Sequence, residues 1–214
     1  MDIFGQVWEN YLQTIEESWQ RVEKDDIVLL PGDFSWAMRL EDAVSDLEYI
    51  SKMPGKKILL RGNHDYWWKS ISAVRAILPK DCFAVQNDAM KIGNNVICGS
   101  RLWTTPEPGR AVSDEDKKIY DREFLRLKMS LDSAVKLRED GDNLIVMTHY
   151  PPFNSRLSPS VFTDLIGNYA PTAVIYGHLH GKDSRCLKIA DINGIKYYLT
   201  SCDLVGNTLI KIIC

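Results

Sequence analysis

The sequence predicts an α/β domain with mixed sheets and helices outside them. Three observations carry that expectation. Short apolar runs alternate with amphipathic helical patterns along most of the chain, and the C-terminal part reads as strands alone. Polar residues of metal-binding type stand just past the ends of four of the apolar runs.

The first element is a helix, because Trp8, Tyr11, Leu12, Ile15, Trp19 and Val22 recur at helical spacing with acidic and amide residues between them. Trp8 and Trp19 fall on its apolar face and belong to the core. Ile27-Val28-Leu29-Leu30 is too short for a helix and stops at Pro31-Gly32, the pattern of a buried strand running into a tight loop. The unit then repeats. Leu40, Val44, Leu47 and Ile50 mark a second helix that closes at Pro54-Gly55, and Lys57-Ile58-Leu59-Leu60 leads into Arg61-Gly62-Asn63-His64-Asp65. A helix over residues 69–78 precedes strand-like Phe83-Ala84-Val85 and Val96-Ile97-Cys98. Residues 104–109 are rich in Pro and Gly and read as a surface loop, one that could gate a site. Across residues 114–140, Ile119, Phe124, Leu127, Leu131 and Val135 give a long helix, solvated on one side and covering a sheet edge. Leu144-Ile145-Val146-Met147 and Ala173-Val174-Ile175-Tyr176 are further strands, and residues 195–213, with Gly194 and Gly206-Asn207 at turns, read as consecutive hairpin strands.

At 214 residues the chain fits a single domain over residues 1–214 with a sizeable core. Its composition, 45% hydrophobic and 26% charged, argues against disorder. A net charge of -3 without a long basic run argues against a general nucleic-acid or membrane-surface binder. The five cysteines are dispersed with no C-x-x-C spacing, as free thiols in a reducing compartment would be. No stretch approaches the apolar length of a membrane span, and residues 1–10 lack the layout of a signal peptide. The default expectation is a soluble cytoplasmic protein.

The chemistry-bearing residues follow the strands. Asp33 comes after Leu29-Leu30, Asn63, His64 and Asp65 after Leu59-Leu60, His149 after Val146-Met147, and His178 and His180 after Ile175-Tyr176. Ligands of open α/β sheets gather at the carboxyl ends of strands, where loops from separate strands converge. A lone histidine is more often a hydrogen-bonded core or surface residue, but all four histidines of this chain stand at such positions.

Gly32-Asp33, Gly62-Asn63-His64-Asp65, Thr148-His149 and Gly177-His178-Leu179-His180 resemble the ordered motif set of the calcineurin-like metallophosphoesterases. The flanking Pro31-Gly32-Asp33-Phe34-Ser35-Trp36, Arg61-Gly62, Tyr150-Pro151-Pro152 and Ser201-Cys202-Asp203 resemble its subgroup of small bacterial predicted phosphohydrolases. The resemblance implies a four-layer α/β/β/α sandwich of two mixed sheets. It also implies metal-dependent hydrolysis of a phosphomonoester or phosphodiester. Two divalent ions roughly 3.5–4 Å apart lower the pKa of a bridging water and neutralise charge on phosphoryl oxygens. Carboxylate, imidazole and amide oxygen ligands suit Mn, Fe or Zn rather than Ca.

Carried over by motif, Asp33 (bridging), Asn63, His149 and His178 would hold one ion. Asp33 and His180, with an Asp and a His from an Asp-x-His motif, would hold the other. His64 would stand beside the leaving oxygen as general acid or hydrogen-bond donor, with Asp65 fixing its tautomer and orientation. Arg61 would either reach a substrate phosphate or form a structural salt bridge. Trp36, Tyr66, Trp67, Trp68, Trp103 and Tyr150 crowd the same loops, as pocket wall for a flat group or as ordinary packing.

The chain departs from the family pattern in one respect: it has no Asp-x-His motif, which the family carries on a strand before the first helix. Asp2 has no histidine two residues on and does not replace the pair. Either an upstream segment is missing from this sequence, or the short form is genuine and retains one complete metal site. Retention of every other site residue favours the first reading. A missing central strand would leave neighbours with unpaired backbone groups, so the expectation is weak stability or self-association through the gap. The site of Asp33, Asn63, His149 and His178 is expected to bind one divalent ion, and the His180 site to bind weakly. The competing function is a non-catalytic scaffold for protein partners, which would be expected to lose His64 or the metal histidines. A nuclease is disfavoured by the absence of a basic track.

Overall fold

The computed structural model of the chain describes residues 5–181 and 186–213; Asp2 and Cys214 lie outside them. Among the described residues nine strands fall into two sheets. The smaller contains β1 (Ile27–Leu30), β2 (Lys56–Leu60) and β3 (Cys82–Val85), in that order and parallel throughout. The larger is mixed, with the order β4 (Ala89–Ile92), β5 (Asn95–Ser100), β6 (Asn143–Thr148), β7 (Ala173–Tyr176), β9 (Ile195–Leu199) and β8 (Ile189–Ile192).

Strand periodicity sorts side chains into layers. Ile58, Leu60 and Val85 of the smaller sheet face Ile97, Ile145, Met147 and Ile175 of the larger, forming the core between the sheets. On the other face of the smaller sheet, Leu59 and Ala84 pack on Leu47 of α2 (Val44–Ser51), Val74 of α3 (Ile71–Ile77), Trp67 and Trp68. Trp19 of α1 (Tyr11–Trp19) covers Val28. On the outer face of the larger sheet, Val96, Cys98, Leu144 and Val146 meet Leu127, Leu131 and Ala134 of α4 (Asp114–Val135) and Phe162 and Ile166 of α5 (Val161–Gly167). This is the four-layer α/β/β/α sandwich. Lys57 faces the helix side and is buried; its Nζ donates to the carbonyls of Met53 and Gly55 at 2.8 Å each, which makes a buried ammonium tolerable.

The helices are capped where the sequence supplies hydroxyls. Ser70, Ser113 and Ser160 each accept a backbone N–H of the following first turn. The helix α4 lies over β4 and β5, at one end of the larger sheet. Cys82, Cys98 and Cys202 are free thiols.

The tail departs from expectation. Asn193-Gly194, both at positive φ, turn β8 back into β9 as an antiparallel hairpin. Beyond Leu199, however, the described chain forms no further strand. Side chains take up its backbone instead of a ladder: Leu209 N donates to Ser18 Oγ at 2.8 Å, and Arg21 donates to Leu209 O at 2.7 Å. Asn207 is likewise engaged, donating to Val7 O at 2.7 Å. β4, β8 and α5 were not foreseen from the sequence.

Among the described strands β1 pairs only with β2, and its other edge borders a trough of about 1590 Å³. Ile27 and Leu29 of β1, Ile145 and Ile175 of the larger sheet, Trp8 and Ile212 line it, with Asp33, His149, His178 and His180 at its polar end. Among the described residues no helix is long and apolar enough to cross a membrane.

Candidate metal centre

Register brings the site together. Leu30 lies opposite Leu59 in the parallel β1–β2 pair, so the two strands run out side by side into the Pro31–Asp33 and Arg61–Asp65 loops. Thr148 lies opposite Tyr176 in β6–β7, so His149 and Gly177-His178 also emerge together, with Gly177 N donating to His149 O at 3.1 Å.

The glycines of these motifs are steric requirements. A Cβ on Gly62 would stand 2.1 Å from Asp33 Oδ1 and 2.3 Å from Asp33 N; one on Gly32 would stand 2.6 Å from His149 Nδ1 and 2.7 Å from Gly62 Cα. Only bare backbone lets the loops approach so closely. Asp33 and His178 themselves adopt left-handed backbone, with φ of 55° and 67°. Strain of this kind persists where surroundings over-determine it, most often at functional sites.

Four potential ligand atoms converge. His149 Nδ1 lies 2.9 Å from the carbonyl oxygen of Pro31, which can only accept, so Nδ1 carries the proton and Nε2 the lone pair. That Nε2 faces Asn63 Oδ1 at 2.6 Å, His178 Nδ1 at 3.3 Å and Asp33 Oδ2 at 3.4 Å, and His178 Nδ1 lies 2.9 Å from Asn63 Oδ1. A proton on His178 could bridge one of these pairs; the remaining contacts set lone pair against lone pair. A divalent ion that holds N and O ligands at about 2.0–2.2 Å puts neighbouring ligand atoms about 2.8–3.6 Å apart. The observed separations lie close to that window, so these residues could hold a metal ion. Asp33, His149 and His178 alone already bring their ligand atoms within 4.8 Å of one another.

Electrostatics agree with the geometry. Burial lowers the pKa of His149 below its ordinary value, against the attraction of Asp33. Burial, then the neighbouring His149, pushes His178 down to about 4. Both imidazoles are therefore neutral at neutral pH, the form that ligates metals.

His180 stands apart from this cluster. Its Nδ1 contacts Asp203 Oδ1 at 2.8 Å, while the other carboxylate oxygen accepts from Gly181 N at 2.8 Å, and its ring centroid is 6.1 Å from that of Trp8. A carboxylate on one imidazole nitrogen is a common way to aim the other at a metal. The sequence contained Asp203 within Ser201-Cys202-Asp203, but nothing in the spacing announced its partner.

His64 is half-buried beside the cluster. Its backbone N–H donates to Asp33 Oδ1 at 2.8 Å, its ring stacks on Trp36 with centroids 5.6 Å apart, and its Nδ1 lies 3.3 Å from Tyr66 Oη. The expected orientation of this ring by Asp65 is not what the structure contains. Asp65 is buried and spends its carboxylate on five N–H donors: Phe34 N, Ser35 N and Trp67 Nε1 on Oδ1, Asp33 N and Gly62 N on Oδ2. It ties the Asp33 and Asn63 loops to each other, with no hydrogen bond to the His64 ring among the described residues. Burial raises its pKa, against donation from Gly62 and Ser35.

The aromatic residues divide. Trp67 and Trp68 are core, whereas Trp36 and Tyr66 are exposed on either side of His64. Tyr150 is buried against His178, with centroids 4.0 Å apart, and Trp103 packs on it. Arg61 forms no ion pair among the described residues, and its Nε is buried without a hydrogen-bond partner.

The family model for calcineurin-like phosphoesterases matches residues 2–182. The chain belongs to the calcineurin-like phosphoesterase family. No curated protein matches it. The kind of function is thus metal-dependent phosphoester chemistry, carried on a fold whose strand ends assemble a possible metal-ligand group.

Proposed function

We propose that the chain hydrolyses a phosphomonoester or phosphodiester at a divalent ion held by Asp33, Asn63, His149 and His178. The observation that carries this reading is the convergence of Asp33 Oδ2, Asn63 Oδ1, His149 Nε2 and His178 Nδ1 at spacings suited to one ion. Two imidazoles, a carboxylate and an amide oxygen favour Mn, Fe or Zn. When bound, such an ion supplies Lewis acidity at a phosphoryl oxygen and lowers the pKa of a nearby water.

The chain's own residues do the rest. Pro31 O fixes the His149 tautomer, and Asp65 holds the Asp33 loop against the Asn63 loop. His64, with Nδ1 turned to Tyr66, has Nε2 to give a proton to the departing oxygen. Trp36 and Tyr66 beside it suit a flat leaving group. His180, backed by Asp203, contributes to a second and weaker ion site, so one tightly held ion per chain is expected.

His64→Ala tests the assignment. Turnover of an aryl phosphate diester should fall by about 10²–10⁴-fold, the usual worth of a general acid, while metal uptake measured by titration stays as in the parent. Undiminished turnover in His64→Ala would overturn the catalytic reading. Retained metal uptake in His178→Ala, or two tightly held ions per chain, would overturn the metal assignment.

A further inference from the structure

A second polar cavity, of about 240 Å³, lies beside the metal centre and is lined by Arg61, Arg101, Arg122, Arg126, Glu123 and Gln86, among others. Three elements supply its charge. Arg61 follows β2 two residues ahead of Asn63, Arg101 follows β5, and Arg122, Glu123 and Arg126 come from α4. The backbone O of Arg101 accepts from Tyr150 N at 3.0 Å, which couples this wall to the residue after His149.

The charges do not balance. Glu123 is the one carboxylate among the lining residues, and it is fully engaged. Its Oε1 accepts from Arg126 at 2.7 Å and faces Arg101 at 3.7 Å, and its Oε2 accepts from Ser100 Oγ at 3.1 Å. Arg101 also lies over the Trp103 ring, 5.1 Å from its centroid. Arg61 and Arg122 make no ion pair among the described residues, and the buried Arg61 Nε has no acceptor among them. A buried guanidinium N–H without an acceptor costs more than a hydrogen bond normally contributes. Gln86 adds a further donor, because Trp68 Nε1 occupies its oxygen at 2.7 Å and leaves the NH₂.

We infer that this arginine pocket binds a phosphoryl group, separately from the metal-ligand cluster. Several guanidinium forks facing one small cavity match the geometry of a tetrahedral oxyanion, and a phosphate would supply the acceptor that Arg61 Nε lacks. The group could be free phosphate or a second phosphoryl group on the substrate. Binding itself does not rest on the proposed hydrolysis; only assignment to the substrate does.

The test separates the two sites by removing metal. In EDTA the full chain is titrated with inorganic phosphate, followed by calorimetry or ³¹P line broadening. Saturable binding is expected, weakened at least tenfold in Arg122→Gln and abolished in Arg122→Glu. Arg122 is exposed and unpaired, so these changes leave the fold intact. Lys117→Gln, an equal loss of charge on exposed α4 surface, should bind as the parent does. Absence of saturable binding in EDTA would overturn the inference, as would equal weakening by Lys117→Gln and Arg122→Gln. Asp33→Asn, which strips the metal cluster of its carboxylate, should not weaken this binding; a tenfold loss would assign the phosphate to the metal cluster instead. In metal-loaded protein, a lower KM for an aryl ester bearing a second phosphate than for the plain ester, lost in Arg122→Gln, identifies the group as part of the substrate. Equal KM values identify it as free phosphate.

Discussion

Replacing Asp65 by Asn should unlock the loops that build the metal centre. The carboxylate receives three N–H groups on Oδ1 and two on Oδ2, and so joins the Asp33 and Gly62 backbones. Asparagine keeps one oxygen. In its better orientation that oxygen stays with Phe34, Ser35 and Trp67, and the NH₂ is set against Asp33 N and Gly62 N, at present 2.9 and 2.7 Å from Oδ2. Two charge-assisted hydrogen bonds are lost, each contributing about 1.5–3 kcal/mol. Removing a buried charge recovers some of the desolvation cost that raises the Asp65 pKa, so the low end applies, about 3 kcal/mol in all. For a chain of this size that is a fall in Tm of roughly 6–12 °C. Because the displaced groups are the backbone of Asp33 and of the residue before Asn63, metal affinity should fall by about 10–100-fold as well. Thermal melts of the metal-free protein and metal titration by calorimetry measure the two effects. An Asp65→Asn protein that melts within 2 °C of the parent (well under the ~6 °C minimum) and binds metal equally, yet loses turnover, would refute this reasoning. That outcome would return Asp65 to orienting the His64 ring.

Gly62→Ala should be costly and Gly177→Ala nearly silent, although both glycines precede site residues. A Cβ at Gly62 would lie 2.1 Å from Asp33 Oδ1, whereas at Gly177 nothing lies nearer than Pro31 Cγ at 3.7 Å. Overpacking of the first kind costs about 1–3 kcal/mol, read by thermal melts, and should also weaken metal binding; equal melts for the two variants would contradict the close approach of the loops. The open β1 edge and the apolar trough beside it predict concentration-dependent self-association, seen as a sedimentation coefficient that rises with loading. A single monomeric species at all loadings would count against it.

Much of the fold was legible because its strands announce themselves in two ways. Ile58 and Leu60 point into the core between the sheets while Leu59 meets the helices, so the run is apolar throughout and ends where the chain must turn. The same runs told where chemistry would gather, since parallel strands in register deliver their next residues to one rim: Asp33 beside Asn63, His149 beside His178. What stayed hidden depended on contacts without sequence period. β4 is only partly buried along its whole length, so its residues do not alternate, and β8 is recognisable only with the Asn193-Gly194 turn and its partner β9. The tail looked like strand by composition, but the side chains of Ser18 and Arg21, nearly the whole chain away, take its backbone groups instead.

Residue roles divided along the same line. The ligand set could be read from motif order, because each ligand follows its own strand. Asp65 could not be assigned by adjacency: next to His64 in sequence, it reaches across to the backbone of Asp33, Phe34 and Ser35. The partner of Asp203 and the role of the α4 arginines could not be read for the complementary reason, being far in sequence from what they serve. Helical periodicity left Arg122, Glu123 and Arg126 among the charged positions between the apolar ones; folding turns Arg122 and Arg126 toward Arg61 and buries Glu123 between arginines. A carboxylate buried on a mostly polar helix, with more cations around it than it can neutralise, is the arrangement that separates an anion site from a surface salt bridge. In a surface pair the two charges close on each other and solvent screens the rest. Around Glu123 one carboxylate is shared by two guanidinium groups, a third has a buried N–H without an acceptor, and the surplus positive charge is held by strand ends and a helix that the core already fixes. The protein therefore keeps its cations in place before any anion arrives, which is the condition under which a phosphoryl group binds without reorganisation.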